Sequence, residues 1–224
     1  MELGDLSTEY GLVALVGPDA RHMLDVLRLP APEELWSHRV ADGGARVVRM
    51  RLAAAPGWGI LGRHDALAAP WARAVDAGAT PVGVEALNVA RIEAGIPWYG
   101  QDASEETFPL EVNLGDTIST TKGCYLGQET IVRILHRGHL NRRLFGLVLE
   151  ATEPPPEGSE VTREGAAIGT LTSAAHSPGM GRAIGLALLR LRAAAPGMTV
   201  EIVAPGGAVR AVVTELPFTV GSAA

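Results

Sequence analysis

IGTLTSAAHSPGMGRAIGLALL, residues 168–189, holds two apolar runs separated by the turn sequence SPGMG. Short apolar runs on either side of a Pro/Gly turn predict two β-strands. Further β-like runs lie on both sides of this stretch, with turn-rich connections such as EPPPEGS between them. Five or six short strands without a helix predict a small antiparallel barrel. The predicted strands are LFGLVLE, AAIGTLTSAAHS, GRAIGLALLRL, MTVEIVA and AVRAVVTELPF.

The first part of the chain mixes helical and strand patterns. GLVALVGPDA predicts a strand followed by a helix, for which Asp19 is the expected N-cap. VGVEALNVARIEAG predicts a helix that ends at Gly95 and carries an apolar stripe beginning at Val84. The sequence therefore predicts an α+β domain over residues 1–142 and a β-barrel domain over residues 143–224.

The composition narrows the class of protein. Hydrophobic residues make up 47% and charged residues 20% of the 224, which is typical of a globular protein. No apolar run is long enough to span a membrane, and MELGDLSTEY lacks the pattern of a secretory signal. A single cysteine cannot form an internal disulfide, which fits a reducing cytoplasm. The net charge of −6 argues against general nucleic-acid binding.

The segment KGCYLGQE, residues 122–129, contains the only lysine and the only cysteine of the chain. The thiolate is the reactive form of cysteine, and a nearby cation favours it. Lys122 supplies that cation, and a helix predicted to begin near Gly127 would point its positive end toward Cys124. The alternative is that Cys124 is a small buried hydrophobic residue, as a lone cysteine most often is.

The segment RILHRGHLNRR, residues 133–143, carries four arginines, two histidines and no acid. It predicts either a positive field beside an anionic ligand or a solvated helix face. His136 and His139 are the nearest candidates for a base that would activate the thiol. One cysteine and one histidine supply only part of a metal site, so no metal is expected on this chain alone.

KGCYLGQE resembles the signature of the YgfZ family, and the similarity extends over most of residues 80–220. NVARIEAGIPWYGQD and TFPLEVNL resemble successive segments of that family. IGTLTSAAHSPGMGRAIGLALL and the closing LPF resemble its C-terminal barrel. YgfZ proteins bind folate and assist iron–sulfur cluster maintenance. They are related to the aminomethyltransferase T-protein of the glycine cleavage system, which shares the barrel.

The resemblance implies an aminomethyltransferase-like, folate-binding α+β body followed by the β-barrel. It implies that tetrahydrofolate or a derivative is the cofactor. Arg91 matches the family arginine that meets the negatively charged end of folate, as a guanidinium can bind a carboxylate bidentately. Lys122 and Cys124 match the motif positions that carry the family's activity. The remaining expected cofactor-binding residues are Tyr99, Tyr125 and Gln128.

Two departures from the family pattern weaken an enzymatic interpretation. GLVALVGPDARHML resembles the family's second α+β unit, so we expect the chain to lack the first unit. That unit carries the aspartate used by the aminomethyltransferases. APGWGILGRHDA, residues 55–66, offers no glutamate for the pterin. Asp65 is the only acid nearby, and it is expected to begin a helix.

Three functions therefore remain open from the sequence. The first is a folate-binding accessory protein that supports assembly or repair of iron–sulfur clusters, with client or assembly proteins as partners. The second is a tetrahydrofolate-dependent aminomethyl or methyl transferase of the T-protein type. The third is a truncated, non-catalytic interaction domain. Iron–sulfur enzymes modify tRNA, which leaves a helper role in tRNA modification open, but direct RNA binding is not expected because the arginine-rich run has no aromatic residues.

Overall fold

The computed structural model describes residues 4–138 and 140–218, and for His136 and Arg137 it describes the backbone alone. The chain divides into two compact units, residues 1–90 and 91–224. The first half contains β1 (Tyr10–Val16), α1 (Ala20–Leu27), β2 (His38–Val40), β3 (Arg46–Met50), β4 (Gly57–Arg63), α2 (His64–Asp76) and α3 (Val84–Glu93). The second half contains α4 (Gln128–Arg137), β5 (Arg142–Leu149), β6 (Glu160–Arg163), β7 (Ala166–Ser177), β8 (Arg182–Arg190), β9 (Thr199–Ala204) and β10 (Gly207–Thr214).

The first unit is built on a four-stranded antiparallel sheet with the strand order β1-β4-β3-β2. Its core packs residues of α1 and α2 against the sheet. Along β1, more buried and more exposed side chains alternate from Leu12 to Val16, as expected of a strand with one face in the core. Trp58 anchors this core, and its indole Nε1 donates a hydrogen bond to the Pro32 carbonyl oxygen at 2.9 Å. The other buried core members are Leu15, Ala20, Leu24, Leu27, Val47, Ile60, Leu67 and Ala74.

Two helix predictions have mixed outcomes. Helix α1 does begin after Asp19, but the Asp19 side chain makes no capping hydrogen bond. Helix α3 occupies Val84–Glu93, within the predicted range, but the apolar stripe predicted on it does not coincide with its fully buried residues. Val84 is 71% exposed, and the two buried residues of the helix are Arg91 and Ile92. The hydrophobic pattern could not identify Arg91 as buried, because a charged side chain is buried only when it is paired.

The second unit contains a closed six-stranded antiparallel barrel with the strand order β10-β5-β8-β7-β6-β9. Its interior is filled by aliphatic side chains and Phe145, nearly all of them inaccessible to water. The predicted fold class, an α+β body followed by a C-terminal antiparallel β-barrel, is confirmed. The domain boundary near residue 143 stays a prediction, although β5 begins at Arg142.

Strand β7 contains a β-bulge. Its pairing with β8 matches Leu171 to Ala187 and Ser173 to Leu186, so Thr172 has no residue opposite it. A bulge bends the strand and changes the direction of its side chains. Two consecutive residues, Thr172 and Ser173, can therefore direct their hydroxyl groups toward the same place.

Candidate functional site

Arg91 lies near the end of α3 and is completely buried. Its guanidinium forms a buried ion pair with Asp102. It also donates hydrogen bonds to the Ser173 Oγ at 2.7 Å, the Gln101 Oε1 at 3.1 Å and the Ile96 carbonyl oxygen at 3.2 Å. A buried charge is tolerated only when it is paired and hydrogen-bonded, and these contacts meet that requirement.

Asp102 is equally inaccessible and accepts hydrogen bonds on both carboxylate oxygens. The hydroxyl groups of Thr172 and Ser173 donate to its Oδ1 at 2.6 and 2.7 Å. The backbone N–H of Trp98 donates to Oδ2 at 2.9 Å, beside Arg91. Adjacent strand residues normally point to opposite faces, so the bulge is what allows both hydroxyls to reach one oxygen.

Residues 98–103, which include Asp102, form a compact turn that we call the Tyr99 loop. The Gly100 N–H donates to the Ala103 carbonyl oxygen at 2.8 Å, and Gly100 has a φ of +89°, which glycine adopts without strain. The Trp98 ring lies against the Arg91 guanidinium, with 4.7 Å from Cζ to the ring centroid. Tyr99 is 74% exposed, so a tightly held loop presents one aromatic ring to solvent.

The predicted reactive residues lie in a second place, the KGC segment (residues 122–128). Cys124 is a free thiol and is exposed, which contradicts the alternative of a small buried hydrophobic residue. The Lys122 Nζ lies 4.7 Å from the centroid of the Tyr125 ring, a cation–π distance. The Gln128 N–H donates to the Tyr125 carbonyl oxygen at 3.2 Å, and α4 begins there. One segment thus holds Lys122, Cys124, Tyr125 and Gln128 together.

The positive field that was one of the two predicted outcomes for the arginine-rich run stays a prediction, because the side chain of Arg137 lies outside the described residues. Three of its arginines make ion pairs with carboxylates, which offset their charge locally. His139 and the side chain of His136 lie outside the described residues, so their predicted role as a base stays a prediction. Among the described residues, no three His, Cys, Asp or Glu side chains are grouped as a metal would require. The ion pairs are Arg133–Glu129, Arg142–Glu111 and Arg143–Glu215.

An apolar cavity of about 480 Å³ lies in the first unit, within the size range of small-molecule sites. It is walled by Met23, Trp71 and Leu87, with Asp19 as its one acidic residue. None of the predicted site residues lines this cavity.

No helix in the described part of the chain is long and apolar enough to cross a membrane.

Sequence reasoning missed three residues of the buried network: Asp102, Thr172 and Ser173. One signal for them existed. The Thr-Ser pair interrupts the apolar alternation of a predicted barrel strand, and two adjacent polar residues at such a place indicate a bulge or an internal polar contact. The partner of that pair could not be read from the sequence, because Asp102 lies 71 residues before Ser173.

Comparison with known families places this chain among the T-proteins. The family described as "GCVT N-terminal domain" matches residues 1–122, and the "Glycine cleavage T-protein C-terminal barrel domain" matches residues 142–219. The chain belongs to the glycine cleavage T-protein family. The predicted kinship with the aminomethyltransferases is thereby confirmed, whereas membership of the YgfZ branch stays a prediction.

Individual relatives agree with that assignment. The chain is 29% identical to an aminomethyltransferase of Halothermothrix orenii over 97% of its own length and 63% of the relative's. It is 35% identical to an aminomethyltransferase of Rubrobacter xylanophilus over 84% of its own length and 52% of the relative's. It therefore spans less than two thirds of the length of these relatives.

A solved structure shows the same fold. The glycine cleavage system aminomethyltransferase T of Bartonella henselae superimposes with a TM-score of 0.82 and 24% sequence identity. The superposition covers 94% of this chain and 60% of that one.

Proposed function

We propose that this chain is a folate-binding accessory protein that supports iron–sulfur clusters in client enzymes, with Lys122 and Cys124 as its reactive groups. One observation carries the proposal: the only thiol of the chain is exposed, and the only lysine lies two residues before it. Structural cysteines are buried and inert, whereas reactive ones are accessible and close to positive charge. The resemblance of KGCYLGQE to the YgfZ signature supports the same role.

The folate part of the proposal is supported by membership of the T-protein family. A reduced folate would supply one-carbon chemistry when bound. Arg91 does not fit the contact expected of it, because its guanidinium is completely buried and engaged by protein groups. Tyr99, Lys122, Tyr125 and Gln128 retain some exposure and fit better. Lys122 is then the cation that meets the anionic end of folate.

Two measurements test the proposal. Calorimetry with 5-formyltetrahydrofolate should show saturable binding that Lys122→Ala weakens and Lys122→Arg largely preserves. In a strain lacking the gene, the activity of an iron–sulfur enzyme should be restored by the wild-type chain and by Lys122→Arg, but not by Cys124→Ala. Full rescue by a stably expressed Cys124→Ala chain would remove the thiol from the mechanism.

The second candidate is aminomethyl transfer to tetrahydrofolate, which the names of the relatives favour. It requires a carrier protein that bears the aminomethyl group and does not need the thiol. Turnover with tetrahydrofolate and an aminomethylated carrier, undiminished in Cys124→Ala, would establish this candidate in place of the first.

The third candidate, a non-catalytic interaction domain, predicts neither folate binding nor dependence on Cys124. The same two measurements therefore separate all three candidates. The first proposal also includes iron–sulfur partner proteins, a helper role in tRNA modification and a cytoplasmic location. If the first proposal is refuted, these three parts are refuted with it.

A further inference from the structure

We propose that Asp102 is a positioning residue of the folate site, which holds the Tyr99 loop so that the Tyr99 ring meets the ligand. The inference rests on the proposed function in one respect, namely that the chain binds a reduced folate. The Asp102 side chain is completely buried, so its carboxylate does not meet the ligand directly. It acts through Tyr99, three residues before it.

Asp102 closes the Tyr99 loop from both its backbone and its side chain. The Asp102 N–H donates to the Trp98 carbonyl oxygen at 2.9 Å, and the Trp98 N–H donates to the Asp102 Oδ2 at the same distance. Tyr99 follows Trp98 directly, so its backbone direction is set by this pair of hydrogen bonds. An exposed ring on an otherwise exposed loop would be free to move, whereas this one extends from a loop closed at its base.

The carboxylate in turn is fixed to the barrel. Its Oδ1 accepts from two consecutive residues of β7, and this arrangement exists only because of the bulge at Thr172. A bulge disrupts the ladder locally, yet bulges are common next to functional sites, where they direct a side chain to a particular place. Functional loops work best when a rigid scaffold positions them, and a closed barrel is such a scaffold.

Arg91 completes the hydrogen-bonded network around Asp102. Its guanidinium balances the charge of the carboxylate and stacks on the Trp98 ring. A purely stabilising role requires the ion pair and the hydrogen bonds that satisfy the carboxylate, whichever groups donate them. A positioning role requires in addition that one donor belongs to the Tyr99 loop, and the Trp98 N–H is such a donor. The two interpretations therefore differ in one outcome, which is whether folded variants of the network lose ligand affinity.

Thr172 offers the mildest way to loosen the network. Thr172→Val removes one hydroxyl from Asp102 and keeps the side-chain shape, while Thr172→Ser keeps the hydroxyl and is the matched control. We expect Thr172→Val to weaken binding of 5-formyltetrahydrofolate by the full chain about threefold, because one hydrogen bond is lost. Thr172→Ser should bind like the wild type. Hydrogen exchange at the Gly100 and Asp102 amides should quicken in Thr172→Val alone.

A double-mutant cycle then asks whether Asp102 acts through Tyr99. Tyr99→Ala and Asp102→Asn should each weaken binding about tenfold, as the loss of one aromatic contact does. The double variant should bind no more weakly than Tyr99→Ala, since Asp102 has nothing left to position.

The outcomes are separable. No binding by the wild-type chain overturns the proposed function, and this inference with it. Wild-type binding that Tyr99→Ala weakens, but that folded Thr172→Val and Asp102→Asn leave unchanged, overturns the inference alone, as do additive losses in the double variant. If Asp102→Asn does not fold, the comparison of Thr172→Val with Thr172→Ser decides.

Discussion

Replacing Arg91 with methionine should destabilise the protein strongly. The substitution leaves the Asp102 carboxylate buried without its counter-charge and also removes the hydrogen bonds to Ser173 and Gln101. Breaking a buried ion pair from one side typically costs about 3–5 kcal/mol. That is a large part of the roughly 5–15 kcal/mol by which a folded domain is stable. Urea unfolding of the full chain, followed by far-UV circular dichroism, measures the loss.

Matched variants identify the cause of that loss. Arg91→Lys keeps the positive charge but not the planar set of guanidinium donors, so its free energy of unfolding should fall by less than that of Arg91→Met. Arg21→Gln removes a pair in which Arg21 and Asp25 are 49% and 60% exposed, and it should change stability by less than about 1 kcal/mol. An Arg91→Met chain as stable as the wild type, yet unable to bind 5-formyltetrahydrofolate, would refute the reasoning and restore Arg91 as a ligand contact.

Three further predictions follow from single contacts, each read by urea unfolding unless stated otherwise. Iodoacetamide should alkylate Cys124 in the native chain without denaturant, and Cys124→Ala should change stability by less than about 0.5 kcal/mol, because the side chain is exposed. Gly169→Ala should lower the free energy of unfolding by about 1–3 kcal/mol or more, because the added Cβ would lie 2.2 Å from the Leu188 carbonyl oxygen. Gly206→Ala is the control, and it should leave stability nearly unchanged because the space around Gly206 is open. Leu171→Ala should cost about 2–5 kcal/mol through the cavity left in the barrel core, and a loss below 1 kcal/mol would mean that the barrel repacks around the gap.

The barrel could be predicted because its signals are local. Five of its six strands contain apolar runs, the connections between these runs contain proline or glycine, and no helical periodicity intervenes. Strand β6, with the sequence EVTR, is not an apolar run and was not among the predicted strands. A closed antiparallel barrel is a common way for such strands to bury their edges. Strand β1 of the first unit, at GLVALVGPDA, was predicted from a similar apolar run.

The buried network could not be predicted because its contacts are distant in sequence. Arg91 meets Ser173 across 82 positions, and no periodic pattern records such a pairing. An arginine on a helix is expected on the solvated face, and the apolar stripe of α3 did not indicate that Arg91 is buried. The carboxylate of Asp102 reverses that expectation, because a paired guanidinium can be buried where a lone one cannot.

The KGC segment could be predicted only in part, unlike the barrel, which could be predicted, and the buried network, which could not. The sequence located Lys122 and Cys124 and predicted a helix beginning near Gly127, and α4 does begin at Gln128. The exposure of the thiol was left open, because a lone cysteine has no pattern that distinguishes the surface from the interior. The structure settles the exposure, and the reaction of the thiol stays a prediction.

The two sheets also differ in how they end. A closed barrel has no edge strand, so its backbone groups are paired all the way round. The sheet of the first unit ends at β1 and β2, and β1 carries the exposed apolar residues Leu12 and Val16. Edge strands of this kind can pair with other chains and seed aggregates. During heating, storage or concentration, insoluble material should therefore originate in the first unit while the barrel remains intact.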